Sequence, residues 1–360
     1  MTRIEGLDGV RAFAVTSVIL SHIGIPVFRG GGYGVLVFFV LSGYLMTTLL
    51  LRERDRTSTI RLGAFYGRRA VRLLPALAVV MAATLAFVTI VSPGTDEARG
   101  TYQAVLPALF YFSNWHWFFQ GTEFEVLAYF GHFWSLSVEE QFYLVWPVTL
   151  LVLLRRASEL ALAWALVGVA VCSLGIRLVT IRGADDAHLL FGTHAVMDQL
   201  AIGALLALLL RLVPSRTSAA CRVGAWPSVA VVVIAMLVAD PEADGVRGVL
   251  SNTIGTSIVA VATALVLGHV ITAQGGLLAR TLALRPVAWV GGVSYAMYLW
   301  HILVIAVALR FSENLAMATV LTFGGTFVAA WLSHRLIETP ASERFKSRFE
   351  VSGPVGSATR

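Results

Sequence analysis

Charge is scarce in this chain, and lysine is nearly absent. Of its 360 residues 13% are charged, and Lys346 is the only lysine among 27 basic residues. A soluble domain carries roughly 25% charged residues, so the shortfall argues against a water-solvated surface. The two cysteines, Cys172 and Cys221, exclude a disulfide framework and offer no metal-ligand spacing. The net charge of +6 is nearly all arginine and reads as juxtamembrane anchoring, which argues against a nucleic-acid partner. No cleavable leader is expected, because the first apolar run is long, contains Arg11 and His22, and has no evident small-residue cleavage site. Neither an internal repeat nor a segment long enough for a soluble second domain stands out.

What is present is apolar length. The chain is 57% hydrophobic with a mean hydropathy of +0.78. Windows of about 20 apolar residues, enough to cross a bilayer, recur along it. The fold class expected is an all-α polytopic membrane protein with about ten transmembrane helices enclosing a central cavity. The spans read as 10–28, 33–51, 73–92, 134–154, 160–180, 193–213, 226–239, 249–271, 288–310 and 314–336. The seventh is short, with room to begin before Trp226. Segment 104–119 is apolar but broken by Pro107 and polar from Ser113 to His116. Treating it as re-entrant or interfacial sorts the arginine-rich loops 52–72, 155–156, 211–222, 280–285 and 335–348 onto the side of the N-terminus. Both termini are therefore expected in the cytoplasm. Residues 1–340 read as one transmembrane domain and 341–360 as a cytoplasmic tail without order.

Ionisable residues inside such spans mark function by default, because their insertion costs about 2.5–3.5 kcal/mol. His22 and Arg11 share the first span. Eleven residues apart, they face the same way at a separation of about 16 Å along a helix. Glu139 and Glu140 enter the fourth span from the outer side, at a depth read as similar to His22. They point about 100° apart, so one of them faces the cavity. Glu139, which shares a stripe with Tyr143 and Trp146, is the one expected beside His22. A His–Glu pair suits removal of a proton from a hydroxyl, and the bland alternative is a structural hydrogen bond between helices.

Further polar groups surround this pair. Loop 52–72 holds seven arginines against two acids, and Arg68, Arg69 and Arg72 crowd where the third span begins. They suit either phosphate oxygens or lipid headgroups at a positive-inside loop. In the ninth span Tyr298 lies one turn before His301, which reads as a base, a second donor or a buried structural histidine. Asn114 and His116 are candidates for contact with a polar acceptor, whereas Ser42, beside Gly43, reads as a packing position in preference to a nucleophile. Asp198 and Gln199 are polar groups in the sixth span. His188, His269 and His334 sit near span ends and carry no signal.

The stretches Gly6–Ala12 running to His22, Gly34–Gly43, Phe65–Pro75, His132–Tyr143, Ser294–His301 and Glu338–Pro340 together resemble the membrane-bound acyltransferase family 3. The resemblance implies an O-acyltransferase of a bacterial cytoplasmic membrane, with acyl-CoA, usually acetyl-CoA, as donor substrate and no permanently bound cofactor or metal. The acceptor it implies is a hydroxylated sugar of a surface polysaccharide, a glycolipid or a glycosylated metabolite such as a macrolide. By matching position, His22 would be the catalytic histidine and Arg11 an essential partner, and Arg69 and Arg72 would engage CoA with Arg68 beside them. Glu139 would orient His22. Tyr298, His301, Asn114 and Trp134 would line the substrate site, with Tyr298 or a backbone amide stabilising the oxyanion. Direct transfer and an acyl-His22 intermediate are both open. Many members carry an arginine two residues before the acid matching Asp198, where this chain has Val196. Many also carry an outward SGNH-type domain, and a member without it is expected here. The rival from another class is a proton-coupled transporter, since intramembrane Arg, Glu and His suit one equally; a weaker rival is a structural or signalling subunit.

Overall fold

The apolar windows fold as helices, and no strand occurs among the described residues, which are 4–120, 128–180, 191–239 and 246–349, with side chains to Arg344. The structure is a computed structural model. The long helices are α1 (Glu5–His22), α2 (Gly34–Thr57), α3 (Leu62–Val91), α4 (Phe133–Leu153), α5 (Glu159–Thr180), α6 (Thr193–Leu212), α7 (Pro214–Val238), α8 (Thr256–Thr272), α9 (Ser294–Phe311) and α10 (Leu315–Ser333). Among the described residues nine helices are long and apolar enough to cross a membrane. α1 is not among the nine because Glu5, Asp8 and Arg11 crowd its first half. It is instead wrapped by protein: Ala14, Val15, Val18 and Ile19 have no exposed surface, and α1 packs against α2, α9 and the short helix Arg285–Gly292. A charged helix is tolerable there because its polar groups face protein or an internal cavity and not lipid.

Several boundaries differ from the sequence reading: α3 begins at Leu62, eleven residues before the expected 73, so Arg68, Arg69 and Arg72 lie inside it. α1 begins at Glu5 and ends at His22, five residues earlier at its start than expected. α7 begins at Pro214, whose missing N–H suits a first helical turn, so it runs 25 residues. Arg216 and Arg222 had masked its first turns by lowering the local hydropathy. Segment 104–119 forms two short helices, Val105–Leu109 and Ser113–Gln120, parted at Tyr111, which has φ of 55°. Eight residues of helix reach about 12 Å, too short for a bilayer core of about 30 Å. The tail expected to lack order continues as helix over Thr339–Phe349 after a π-helical turn at His334–Glu338. His188 and much of the outer loops lie outside the described residues.

α2 and α6 pack closely because two glycines are set against the opposing backbones. A Cβ on Gly203 would stand 2.0 Å from the Val40 carbonyl oxygen, and one on Gly43 would stand 2.1 Å from that of Leu200. Small residues at such crossings let helices approach without a hydrophobic driving force between them. Gly203→Val should therefore cost at least about 2 kcal/mol through overpacking. Thermal melting of the detergent-purified protein checks this, with Gly168→Ala as control, since that glycine has open space around it.

Candidate active site

Three histidines meet where α1 ends. His22 closes α1, His301 lies on the third turn of α9, and His132 caps the start of α4. The His22 ring has exposed surface although protein surrounds it densely. His301 has no exposed surface. His22 Nδ1 and His301 Nε2 are 3.0 Å apart, and His301 Nδ1 is 2.6 Å from the Tyr298 carbonyl oxygen. The His132 ring stands edge-on to His301 at 4.9 Å between centroids.

The sequence expectation that Glu139 partners His22 is not met. Glu139 accepts hydrogen bonds from Ser42 Oγ and from the Tyr143 hydroxyl, the latter at 3.0 Å. The reason is depth. His132 is level with the other two histidines, and Glu139 lies seven residues further into α4, about 10 Å along its axis. Ser42 thus does more than pack: its hydroxyl holds a carboxylate.

A second cluster lies at this inner level. Arg69 clamps Glu140, with Nε at 2.9 Å from Oε2 and a further short contact to Oε1, and its guanidinium lies 3.3 Å over the Tyr143 ring. Arg11 bonds Asp8 at 2.8 Å. Arg68 pairs with Glu53 at 3.7 Å. Arg72 makes no ion pair or hydrogen bond among the described residues, although it is exposed. Its charged neighbours are Arg11, Arg69 and Glu338, which come from three different elements. Of the expected arginine trio, Arg69 and Arg68 are committed to carboxylates and Arg72 is available. Glu338 is buried, and its Oε1 has no hydrogen-bond partner.

Three expected substrate contacts are occupied elsewhere. The Tyr298 hydroxyl donates to the His132 carbonyl at 2.8 Å and meets Ser135 Oγ at 2.6 Å, so it ties α9 to the start of α4. Asn114 is fully buried; its amide donates to the Phe191 carbonyl and to Thr193 Oγ1, and its oxygen accepts from Gln141 at 2.8 Å. With every polar atom used, it pins helix Ser113–Gln120 onto α4 and α6. Trp134 is half-buried between Phe39 and Phe191. His116 sits beside Trp117, and burial lowers its pKa below the ordinary imidazole range.

Sequence reasoning missed Arg177. It is fully buried in α5 and binds Asp198 through two hydrogen bonds of 2.8 and 2.6 Å. The signal was available, because an arginine three residues before the end of an apolar span is costly unless paired. It also missed the role of His132, which stood in a motif without an assignment. Among the described residues no group of His, Cys, Asp and Glu could hold a metal ion.

The sequence pattern of a family described as an acyltransferase domain matches residues 4–335. The peptidoglycan O-acetyltransferase OatA of Listeria monocytogenes is 30% identical over 358 residues, which cover 94% of this chain and 55% of that protein. The O-acetyltransferase OatA of Staphylococcus aureus is 30% identical over 366 residues, covering 95% of this chain and 57% of that protein. A putative O-acetyltransferase of Staphylococcus aureus strain COL is 31% identical over 356 residues, covering 94% and 57%. The chain thus spans a little over half the length of these relatives. No solved structure matches.

Proposed function

The chain belongs to the family of acyltransferase domains, and on that premise we propose that it is a membrane-embedded O-acyltransferase moving an acetyl group from acyl-CoA to a sugar hydroxyl. The membership displaces the transporter and structural-subunit readings. The acceptor class follows the relatives, one of which is named for peptidoglycan. The membrane is the bacterial cytoplasmic membrane, with both chain ends on the cytoplasmic side, as the arginine sorting favours.

The observation that carries the reading is a histidine with exposed surface at the end of α1 whose Nδ1 is engaged by His301 and whose Nε2 has no hydrogen bond among the described residues. In the proposed step His22 Nε2 takes the proton from the acceptor hydroxyl. The oxygen attacks the acyl carbon, the C–S bond breaks, and the thiolate leaves with the proton returned by His22. The inner cluster supplies the donor end. Arg72, lacking a counter-ion of its own and standing beside Arg11, offers a guanidinium fork to phosphate oxygens of CoA. Arg69 shapes that wall through Glu140 and Tyr143 instead of binding the phosphates itself.

The test uses the purified full chain in lipid nanodiscs with acetyl-CoA labelled in the acetyl group and a soluble muropeptide or chitooligosaccharide as acceptor. Label should appear as a base-labile ester on the sugar. Arg72→Ala should raise the half-saturating donor concentration about tenfold, the loss of one charge-assisted contact of about 1.5 kcal/mol, while the maximal rate stays within about twofold. Hydrolysis of the donor without an ester on any sugar would sink the acceptor class.

A further inference from the structure

The hydrogen-bond chain at the histidine cluster has a direction that the distances fix. The Tyr298 carbonyl oxygen can only accept, so His301 Nδ1, 2.6 Å away, carries a proton. A neutral His301 then has a lone pair on Nε2. The atom facing that lone pair at 3.0 Å is His22 Nδ1, which must therefore be the donor. The opposite assignment would place two lone pairs against each other. A cationic His301 would reverse the second bond, but it would be a fully buried charge beside His132 and His22, neither of which can carry a negative charge to offset it. Among the described residues no carboxylate hydrogen-bonds to any of the three rings. An uncompensated buried charge is strongly disfavoured, so the neutral form holds.

We infer that His301 is a positioning residue: anchored on the Tyr298 carbonyl, it holds His22 as the Nδ1–H tautomer and presents Nε2 as the nitrogen that acts on substrate. The inference rests on the proposed role of His22 as base. A free imidazole favours the opposite tautomer, with the proton on Nε2, in which the accessible nitrogen would be a donor and useless as a base. His301 thus does what a carboxylate does in other histidine-based sites. It differs in one respect. When His22 becomes an imidazolium, no negative charge meets it, and the cation is stabilised only by donation from its Nδ1–H to His301 Nε2. The Tyr298 hydroxyl holds this arrangement rigid by bonding the His132 carbonyl at 2.8 Å, which fixes α9 against the start of α4.

Two variants and one spectrum test this. His301→Phe keeps the ring volume and removes the acceptor. His301→Gln keeps an acceptor for His22 and a donor for the Tyr298 carbonyl. In nanodiscs His301→Phe should lower kcat by about 100-fold with the donor KM within about twofold, the low end for loss of a correctly set general base. His301→Gln should recover at least about tenfold of that. A merely structural histidine would give equal losses in both variants, scaling with their melting temperatures. Independently, nitrogen NMR of the protein labelled in histidine, with His22→Ala used only to assign the signals, should show His22 protonated at Nδ1 at neutral pH and at Nε2 in His301→Phe. An Nε2–H signal for His22 in the unsubstituted protein, or an undiminished kcat in His301→Phe, would overturn the inference. Retained transfer by His22→Ala would instead remove the base assignment and leave the nitrogen spectrum as it is, so the two failures are separable.

Discussion

His22→Ala is expected to reduce acetyl transfer by about 100- to 10,000-fold, the range for a positioned general base, and to leave the protein folded. The second half of this expectation comes from what the ring touches. Its hydrogen bond among the described residues is to His301, and the ring has exposed surface, so its removal strands no charge. A small loss in melting temperature is the whole structural cost. The measurement is label transfer from acetyl-CoA to sugar in nanodiscs, with a melting curve on the same sample. Because the ring has exposed surface, added imidazole should restore part of the rate to this variant and none to a variant that has unfolded. A His22→Ala protein that transfers at the unsubstituted rate would defeat the mechanism.

The architecture was largely legible in the sequence, because most of the long helices announce themselves through about 20 apolar residues. His22 and His301 were legible for the converse reason: a polar group inside such a run needs a partner. What the sequence could not give is rotation and axial offset. Placing Glu139 beside His22 required both depths to be right. Starting α1 at Val10 put His22 only about 18 Å into its span. α1 in fact starts at Glu5, and His22 is its last residue. Glu139 stayed where it was expected, about two turns inside α4, so the five residues gained by α1 separated the pair. The protein partners of Asn114 and Tyr298 were hidden for a related reason. A polar side chain in a motif looks free until the neighbouring helices are in place, and here Gln141, Thr193, Ser135 and the His132 carbonyl consume every group. Arg72 shows the opposite case. It read as a partner of Arg69 with Arg68 beside them, and only the positions of Glu53 and Glu140 single it out as the one of the three without an ion pair.

Arg177→Met should destabilise the protein by about 3–5 kcal/mol, because it leaves an uncompensated carboxylate in the interior. Arg177 and Asp198 side chains are each 1% exposed. Asp198 also accepts from Ser257 Oγ at 2.6 Å, and Arg177 donates to Ser257 Oγ at 2.5 Å and to the Ala195 carbonyl. One ion pair therefore pins α5, α6 and α8 together. The resemblance to the acyltransferase family puts an arginine at the position of Val196, within the same helix as the acid. In this chain a guanidinium reaches the acid from α5, a contact between helices; side chains two apart on one helix do not face each other, so an arginine at 196 would not supply it. The stability consequence is distinctive. Asp198→Leu alone strands the guanidinium and should cost as much as Arg177→Met. The double substitution removes both charges, and melting should show it less destabilised than either single variant, since the desolvation of two ions is recovered along with their lost attraction. If the two losses simply added, the pair would not be acting as one unit. If the double variant then transferred acetyl at the unsubstituted rate, the pair would be structural alone. A loss of transfer in a stable double variant would tie the charge itself to substrate passage between α5 and α6.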